Sequence, residues 1–301
     1  MMFSFQEIFK RSSIVAPKRD SRPFISEDEL NECPFCLPNR HYIERVIDES
    51  WLDEELLVRI VSNRYPATSE EGARGVHDVV IDTSHHRQHP KDFSLEHWEL
   101  LLVSIQKRWK MLMVDHNIQM IQVFKNYGTK AGASISHSHW QIIALETIPD
   151  TMMEKYKNFQ KQGNCCFCDK AIFKEGYRVW EDDLFEIWVP PILSFPYEVW
   201  MIPKAHHQHY GELSSEEIKT LGKLMKYLLE VYHQLNPQYD FNICMMSGML
   251  SGQMPYHFYV QLVMRVAHIA GFEIATGCHI FSMTPLEYAD QMKKLLKGMY
   301  K

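Results

Sequence analysis

The chain has 301 residues, room for one large domain or two of ordinary size at about 150 residues each. Apolar residues make up 46% and charged residues 23%, a globular balance that excludes intrinsic disorder. With 32 basic and 38 acidic residues the formal charge is −6, which argues against a nucleic-acid-coating protein but leaves room for a local basic phosphate pocket. No apolar run reaches the ~18 residues of a membrane span. The start, Met1 to Glu7, has no charged, apolar leader pattern, so a soluble cytoplasmic protein is expected.

In chain order, Cys33-Pro34-Phe35-Cys36 falls in a turn-rich stretch, and Val79 to Ile81 and Ile118 to Phe124 read as strands. Phe93 to Val114 is apolar at helical spacing, with Ser94 as N-cap and Glu96 close behind. Asn126 to Ser134 is a small-residue loop, and His137 to Leu145 resumes as a strand. A boundary near Pro149-Asp150 divides the chain into residues 1–150 and 151–301. After it come a second pair, Cys165-Cys166-Phe167-Cys168, strands over Tyr177 to Trp188 and Tyr197 to Ile202, and a helix over Ser214 to Leu235 with Glu216 and Glu217 in its first turn. Strands over Asp240 to Met246 and Tyr256 to Met264 and a helix over Pro285 to Met299 complete the order.

Spacing sharpens this duplication. Cys36 to His86 is 50 positions and His86 to His137 is 51; Cys168 to His206 is 38 and His206 to His257 is again 51. The same ligand types recur in the same order, as two copies of one α+β unit would give. A Cys-x-x-Cys turn offers two thiolates to a tetrahedral centre, and distant histidines complete it. Cys33, Cys36, His86 and His137 form one candidate zinc site, and Cys165, Cys168, His206 and His257 a second; soft thiolates select zinc over calcium or magnesium. His85 competes with His86, and His207 and His209 compete with His206. A thioredoxin-like redox pair is the rival reading, but neither pair opens an obvious helix after a strand. Of the sixteen histidines, others such as His41, His97 and His233 read as surface residues.

The most informative stretch runs from Asn126 to Gln141. Strand alternation points His137, His139 and Gln141 to one face. The glycine-containing loop before them can offer backbone N–H groups, Asn126 and Ser134 to a phosphate.

Here the chain resembles the galactose-1-phosphate uridylyltransferase branch of the histidine-triad superfamily, including ADP-glucose phosphorylase-like members. The resemblance spans nearly the whole chain. It is carried by Ala16-Pro17-Lys18-Arg19-Asp20-Ser21-Arg22-Pro23, Cys33-Pro34-Phe35-Cys36, Ser62-Asn63-Arg64-Tyr65-Pro66-Ala67, the 126–141 block, Pro203-Lys204-Ala205-His206 and Ala270-Gly271-Phe272-Glu273. It implies an α+β fold of two tandem histidine-triad-like repeats, each an antiparallel sheet with packed helices. It also implies ping-pong nucleotidyl transfer, in which His139 attacks the α-phosphorus of a nucleoside diphosphate sugar and carries the nucleotide as a phosphoramidate. The His137 carbonyl would hold the nucleophile's other ring nitrogen, so a zinc on the His137 side chain acts by orientation and not as a Lewis acid on substrate.

Gln141 stands where hydrolase branches carry a third histidine. An amide cannot ionise near pH 7 but can donate to a phosphoryl oxygen, which favours transfer to a phosphate acceptor over hydrolysis. By the same resemblance Asn126, Ser134 and Gly132 serve the nucleotide phosphates, Asn63 the nucleotide, and Arg19 and Arg22 the sugar phosphate. Glu273 matches a sugar-hydroxyl contact that can reach across a dimer interface. Trp140 and Ala133 depart from the family pattern, and His257-Phe258-Tyr259 lacks the second histidine, so the second repeat cannot build a nucleophile. The expected partners are a nucleotide sugar with a sugar 1-phosphate or inorganic phosphate, and a second copy in a homodimer. The rivals are an ADP-sugar or dinucleoside-polyphosphate phosphorylase and a non-catalytic nucleotide-sugar-binding protein.

Overall fold

A computed structural model describes residues 12–25, 33–170, 173–251, 255–266 and 269–299; the start read for a leader, Met1 to Glu7, lies outside them. The two long helices begin where the sequence supplies caps. Ser94 Oγ accepts the His97 N–H at 3.1 Å at the head of α1 (Leu95–Met113). The connecting helix α2 spans Asp150–Gln162. Ser214 and Glu217 exchange hydrogen bonds at the head of α3 (Ser215–Leu235), each such cap contributing about 1 kcal/mol. Two further helices, α4 (Gly271–Thr276) and α5 (Pro285–Met299), lie in the C-terminal region.

Among the described residues, ten strands form one sheet. They are β1 (Val46–Leu52), β2 (Glu55–Ser62), β3 (Gly75–Ile81), β4 (Met120–Tyr127), β5 (His139–Leu145), β6 (Arg178–Glu181), β7 (Phe185–Trp188), β8 (Val199–Pro203), β9 (Phe241–Met246) and β10 (Tyr259–Met264). Their order is β1-β2-β3-β5-β4-β9-β10-β8-β7-β6, and every neighbouring pair is antiparallel. The first half runs 1-2-3-5-4, with α1 crossing between β3 and β4. The second runs 6-7-8-10-9, with α3 crossing between β8 and β9. One topology is thus written twice, and the copies meet at β4 and β9, where Asn126 lies opposite Asn242.

Alternation along each strand divides the core. Val80 on β3 and Trp140, Ile142 and Ala144 on β5 join Trp98, Ile105, Leu221 and Leu228 of α1 and α3 in the large core. Val79 and Ile81 face the other way, into a smaller cluster with Phe35 and Ile135. Trp140 therefore packs on the helix side, with no side-chain exposure, behind the strand that carries His139.

Two sequence expectations change and one element is new. Tyr177 to Trp188 is a hairpin and not one strand, because the Asp182 carboxylate accepts the N–H groups of Leu184 and Phe185 at 2.8 and 2.7 Å and turns the chain. The β1–β2 hairpin had no counterpart in the sequence reading; its turn residues Asp53 and Glu54 sit at φ 47° and 68° without a glycine. His97 is buried, stacked on Phe93 and bonded to the Asp82 carbonyl at 2.7 Å, and is not a surface residue. Among the described residues, no helix is long and apolar enough to cross a membrane.

The large core also holds an ion pair. Lys125 has no exposed surface; its Nζ donates to Asp82 Oδ2 at 2.6 Å, Ser138 Oγ at 2.6 Å and the His139 carbonyl at 3.2 Å. Burial lowers the lysine's pKa, with Asp82 opposing that shift. Asp82→Ala strands the ammonium away from water and should cost about 3–5 kcal/mol in urea unfolding, most of it recovered when Lys125→Met is added. A loss below about 1 kcal/mol in the single variant would show that the pair is not a dry one.

Candidate active site and metal centres

Residue 139 opens β5, and its position follows from the hydrogen bond its ring makes. His139 Nδ1 donates to the His137 carbonyl at 2.8 Å, so Nε2 carries the lone pair of the neutral ring. Burial first, then the charges of Lys125 and Arg22, lower its pKa to about 4 against the opposing bond to His137, so the imidazole is neutral near pH 7. Ile81 and Val79 lie opposite His139 and Gln141 across β3, and the Phe35 ring stands edge-on to His139 at 5.1 Å.

His139 and Gln141 line a cavity of about 470 Å³ together with Arg22, Phe35, Asn63 and Ser134. That is the size and mixed polarity of a small-molecule site. The remaining residues singled out in the sequence do not line it. Arg19 Nη1 donates to the Tyr65 carbonyl at 3.0 Å and so braces a wall loop. Asn126 Oδ1 accepts from Asn242 Nδ2 at 2.8 Å across the seam between repeats. Gly132 closes the short helical turn Thr129–Ala131 within the loop before β5, at φ +87°, where a side chain would be strained. Glu273, half-buried on α4, accepts the Ala270 N–H at 3.1 Å.

One residue of this site was passed over in the sequence. His77, on β3, is buried and touches Gln141 Oε1 through Nε2 at 3.0 Å. Burial lowers its pKa to about 4. A single histidine on a strand carries no spacing signal, although its place two residues before Val79, the strand partner of Gln141, would have marked it once the pairing was known.

Two Cys/His groups could hold a metal ion: Cys33, Cys36, His86 and His137, and Cys165, Cys168, His206 and His257. Within each, the ligand atoms lie within 4.8 Å of one another. Cys Sγ to His Nδ1 distances are 3.4–3.6 Å in the first group and 3.4–3.5 Å in the second. A tetrahedral ion with bonds of about 2.3 Å to sulfur and 2.0–2.1 Å to nitrogen would separate those atoms by roughly 3.5 Å, so both groups fit. The remote nitrogens are tied as well. His137 Nε2 donates to the Thr83 carbonyl and His257 Nε2 to the Pro203 carbonyl, both at 2.9 Å, which leaves Nδ1 free to ligate. The competing histidines are engaged elsewhere: His85 with Glu55 at 2.9 Å, His207 with Glu217 at 2.7 Å and His209 near Glu212 at 3.6 Å.

Comparison with known proteins agrees in sequence and in fold. Residues 17–148 match the N-terminal domain of a family described as a domain of unknown function, DUF4931. The chain is 32% identical to ADP-glucose phosphorylase of Arabidopsis thaliana, over 96% of this chain and 91% of that protein. It is 27% identical to galactose-1-phosphate uridylyltransferase of Thermotoga maritima, over 93% and 94% of the two. A solved structure of the Arabidopsis thaliana ADP-glucose phosphorylase with bound ADP-glucose superposes with a TM-score of 0.79 at 30% identity, covering 92% of this chain and 94% of that one. Similarity of this extent over nearly the full length shows that the chain belongs to the family of galactose-1-phosphate uridylyltransferase and ADP-glucose phosphorylase.

Proposed function

We propose that the chain is a nucleotidyltransferase that moves a nucleoside monophosphate from a nucleoside diphosphate sugar to a phosphate acceptor through His139. The observation that carries this reading is the tied imidazole: Nδ1–H is held by the His137 carbonyl, and the ring borders a cavity of about 470 Å³. The Nε2 lone pair attacks the α-phosphorus, the P–O bond to the β-phosphate breaks, and a sugar 1-phosphate leaves with the electron pair. The positive charge that forms on the ring is met by the same carbonyl. A second phosphate then attacks phosphorus and expels the neutral imidazole. A phosphate leaving group needs no proton, so an amide at Gln141 that donates to phosphoryl oxygens suffices where a titrating group is absent. Arg22, Asn63 and Ser134 border the same space and suit the phosphates and nucleoside. Arg19, Asn126 and Gly132 act through the loops they shape.

The acceptor is a sugar 1-phosphate or inorganic phosphate. The 32% identity to ADP-glucose phosphorylase, above the 27% to the uridylyltransferase, gives the phosphorolytic acceptor its support. We assign zinc to both Cys/His groups, since two thiolates and two imidazoles are the donor set that ion takes in structural sites. When bound it would anchor Cys33, Cys36, His86 and His137 and so fix the chain that orients His139. Reduced thiolate ligands suit a cytoplasmic setting. Glu273 falls outside the cavity of its own chain, near exposed Ile269, Phe272, Ile274 and Ile280; a homodimer would cover that apolar face and bring Glu273 to the partner's sugar.

Incubation with α-labelled UDP-glucose or ADP-glucose followed by denaturation should leave acid-labile, base-stable label on the protein, and none on His139→Ala. Absence of label with both sugars would favour a binding protein instead. Elemental analysis should return about two zinc ions per chain, with Cys165→Ser losing about one; a total below one defeats the ligand assignment. Light scattering should give a mass near twice that of the chain, reduced to the single-chain value by Ile274→Asp, and a monomeric parent protein rules the dimer out.

A further inference from the structure

We propose that His77 is a positioning residue that fixes which end of the Gln141 amide faces the reacting phosphate. This rests on the transfer reading above and names a component that reading does not use. The carbonyl and amino ends of a glutamine are nearly the same size but opposite in function. Toward a phosphoryl oxygen the N–H end donates, whereas the oxygen end repels. A glutamine at this place is useful only if something prevents it from turning over.

His77 supplies that constraint through its own tautomer. The Ala67 backbone N–H donates to His77 Nδ1 at 2.9 Å, so in the neutral ring the proton sits on Nε2. That N–H meets Gln141 Oε1 at 3.0 Å, and the Gln141 amino group has no protein partner among the described residues and borders the cavity. Asn63 Nδ2, 3.1 Å from the same Nε2, would prefer the opposite tautomer. The Ala67 N–H is fixed by the chain, whereas the half-buried Asn63 amide can turn at the cost of the Tyr65 N–H bond to its Oδ1, so Ala67 decides. One imidazole thus links Ala67, in the loop beside the cavity, to the amide on β5.

The second repeat carries the reverse arrangement. Gln261 stands four residues after His257, as Gln141 stands four after His137. Its strand partner on β8 is Trp200, and Glu198 lies two residues before Trp200, as His77 lies two before Val79. Glu198 can only accept; its Oε1 takes the Gln261 Nε2–H at 2.6 Å, which turns the carbonyl end outward. The same glutamine is therefore set one way by a donor in the repeat that has His139 and the other way by an acceptor in the repeat that has Tyr259 in its place.

The test is single-turnover labelling of His139 by α-labelled ADP-glucose or UDP-glucose, with His77→Glu as the reversing variant and His77→Gln as the conservative one. His77→Glu should slow labelling by about 10²-fold, the usual loss for one donor to a developing oxyanion, at little change in half-saturating concentration or zinc content. His77→Gln, which keeps an N–H for Gln141, should recover at least tenfold of that. Gln141→Ala should be as slow as His77→Glu, and the double variant no slower than either. Losses that multiply in the double variant, or full speed in His77→Glu, overturn the proposal. A nitrogen-15 imidazole spectrum needs no turnover and should show the His77 proton on Nε2; a proton on Nδ1 overturns it regardless of activity. A wild-type protein that never labels but shows the Nε2 proton would defeat the transfer reading and leave the His77 constraint standing.

Discussion

The site depends on one backbone carbonyl. The oxygen of His137 receives Nδ1–H of His139 at 2.8 Å and thereby fixes which ring nitrogen keeps a lone pair. That carbonyl is itself held from two directions. The His137 side chain is pinned by Thr83 on one nitrogen and by the thiols of Cys33 and Cys36 on the other, and the strand behind is gripped by Lys125 through Ser138 and the His139 carbonyl. A ring with two rotatable bonds would lose orientation in open water. Here a ligand set on one face of the sheet and an ion pair in the core on the other restrict it.

The two halves share one frame and differ in what it carries. Both repeats keep the Cys-x-x-Cys turn, the two distant histidines and the carbonyl that ties the remote nitrogen of the last one. They diverge two residues later. His139 with a donor beside Gln141 faces the large cavity, while Tyr259 bonds Lys155 at 2.7 Å and Gln261 bonds Glu198. The Cys/His frame and the cavity-lining pair are thus separable, since the frame recurs where Tyr259 stands in place of His139.

Much of this was legible in the chain because it is written in local or periodic signals. Ser94 announces a helix start, alternation sets His139 and Gln141 on one face, and the repeated interval of 51 from His86 and from His206 exposes the duplication. Signals that need a partner strand were not legible. His77 has meaning only once β3 lies beside β5, and Lys125, which follows the Ile118 to Phe124 run, has none until Asp82 arrives from 43 positions away. The β1–β2 hairpin was hidden by Asp48, Glu49, Glu54 and Glu55, whose charges sit on an edge strand and its turn. The hairpin at Asp182 was more accessible, since adjacent aspartates followed by an apolar run are a turn signal.

The seam between the repeats has a mechanical consequence. β4 and β9 share a ladder from Val123–Met245 to Tyr127–Phe241, and both lie in the large core beneath α1 and α3. Parting the two halves would break that ladder and wet the core together, so the protein cannot gape like a pair of jaws to admit its reactants. Access to His139 is left to the rim of the cavity, where the segment around Arg22 and Ile25 crosses the chain at Ser134 and Ser136 by two main-chain hydrogen bonds.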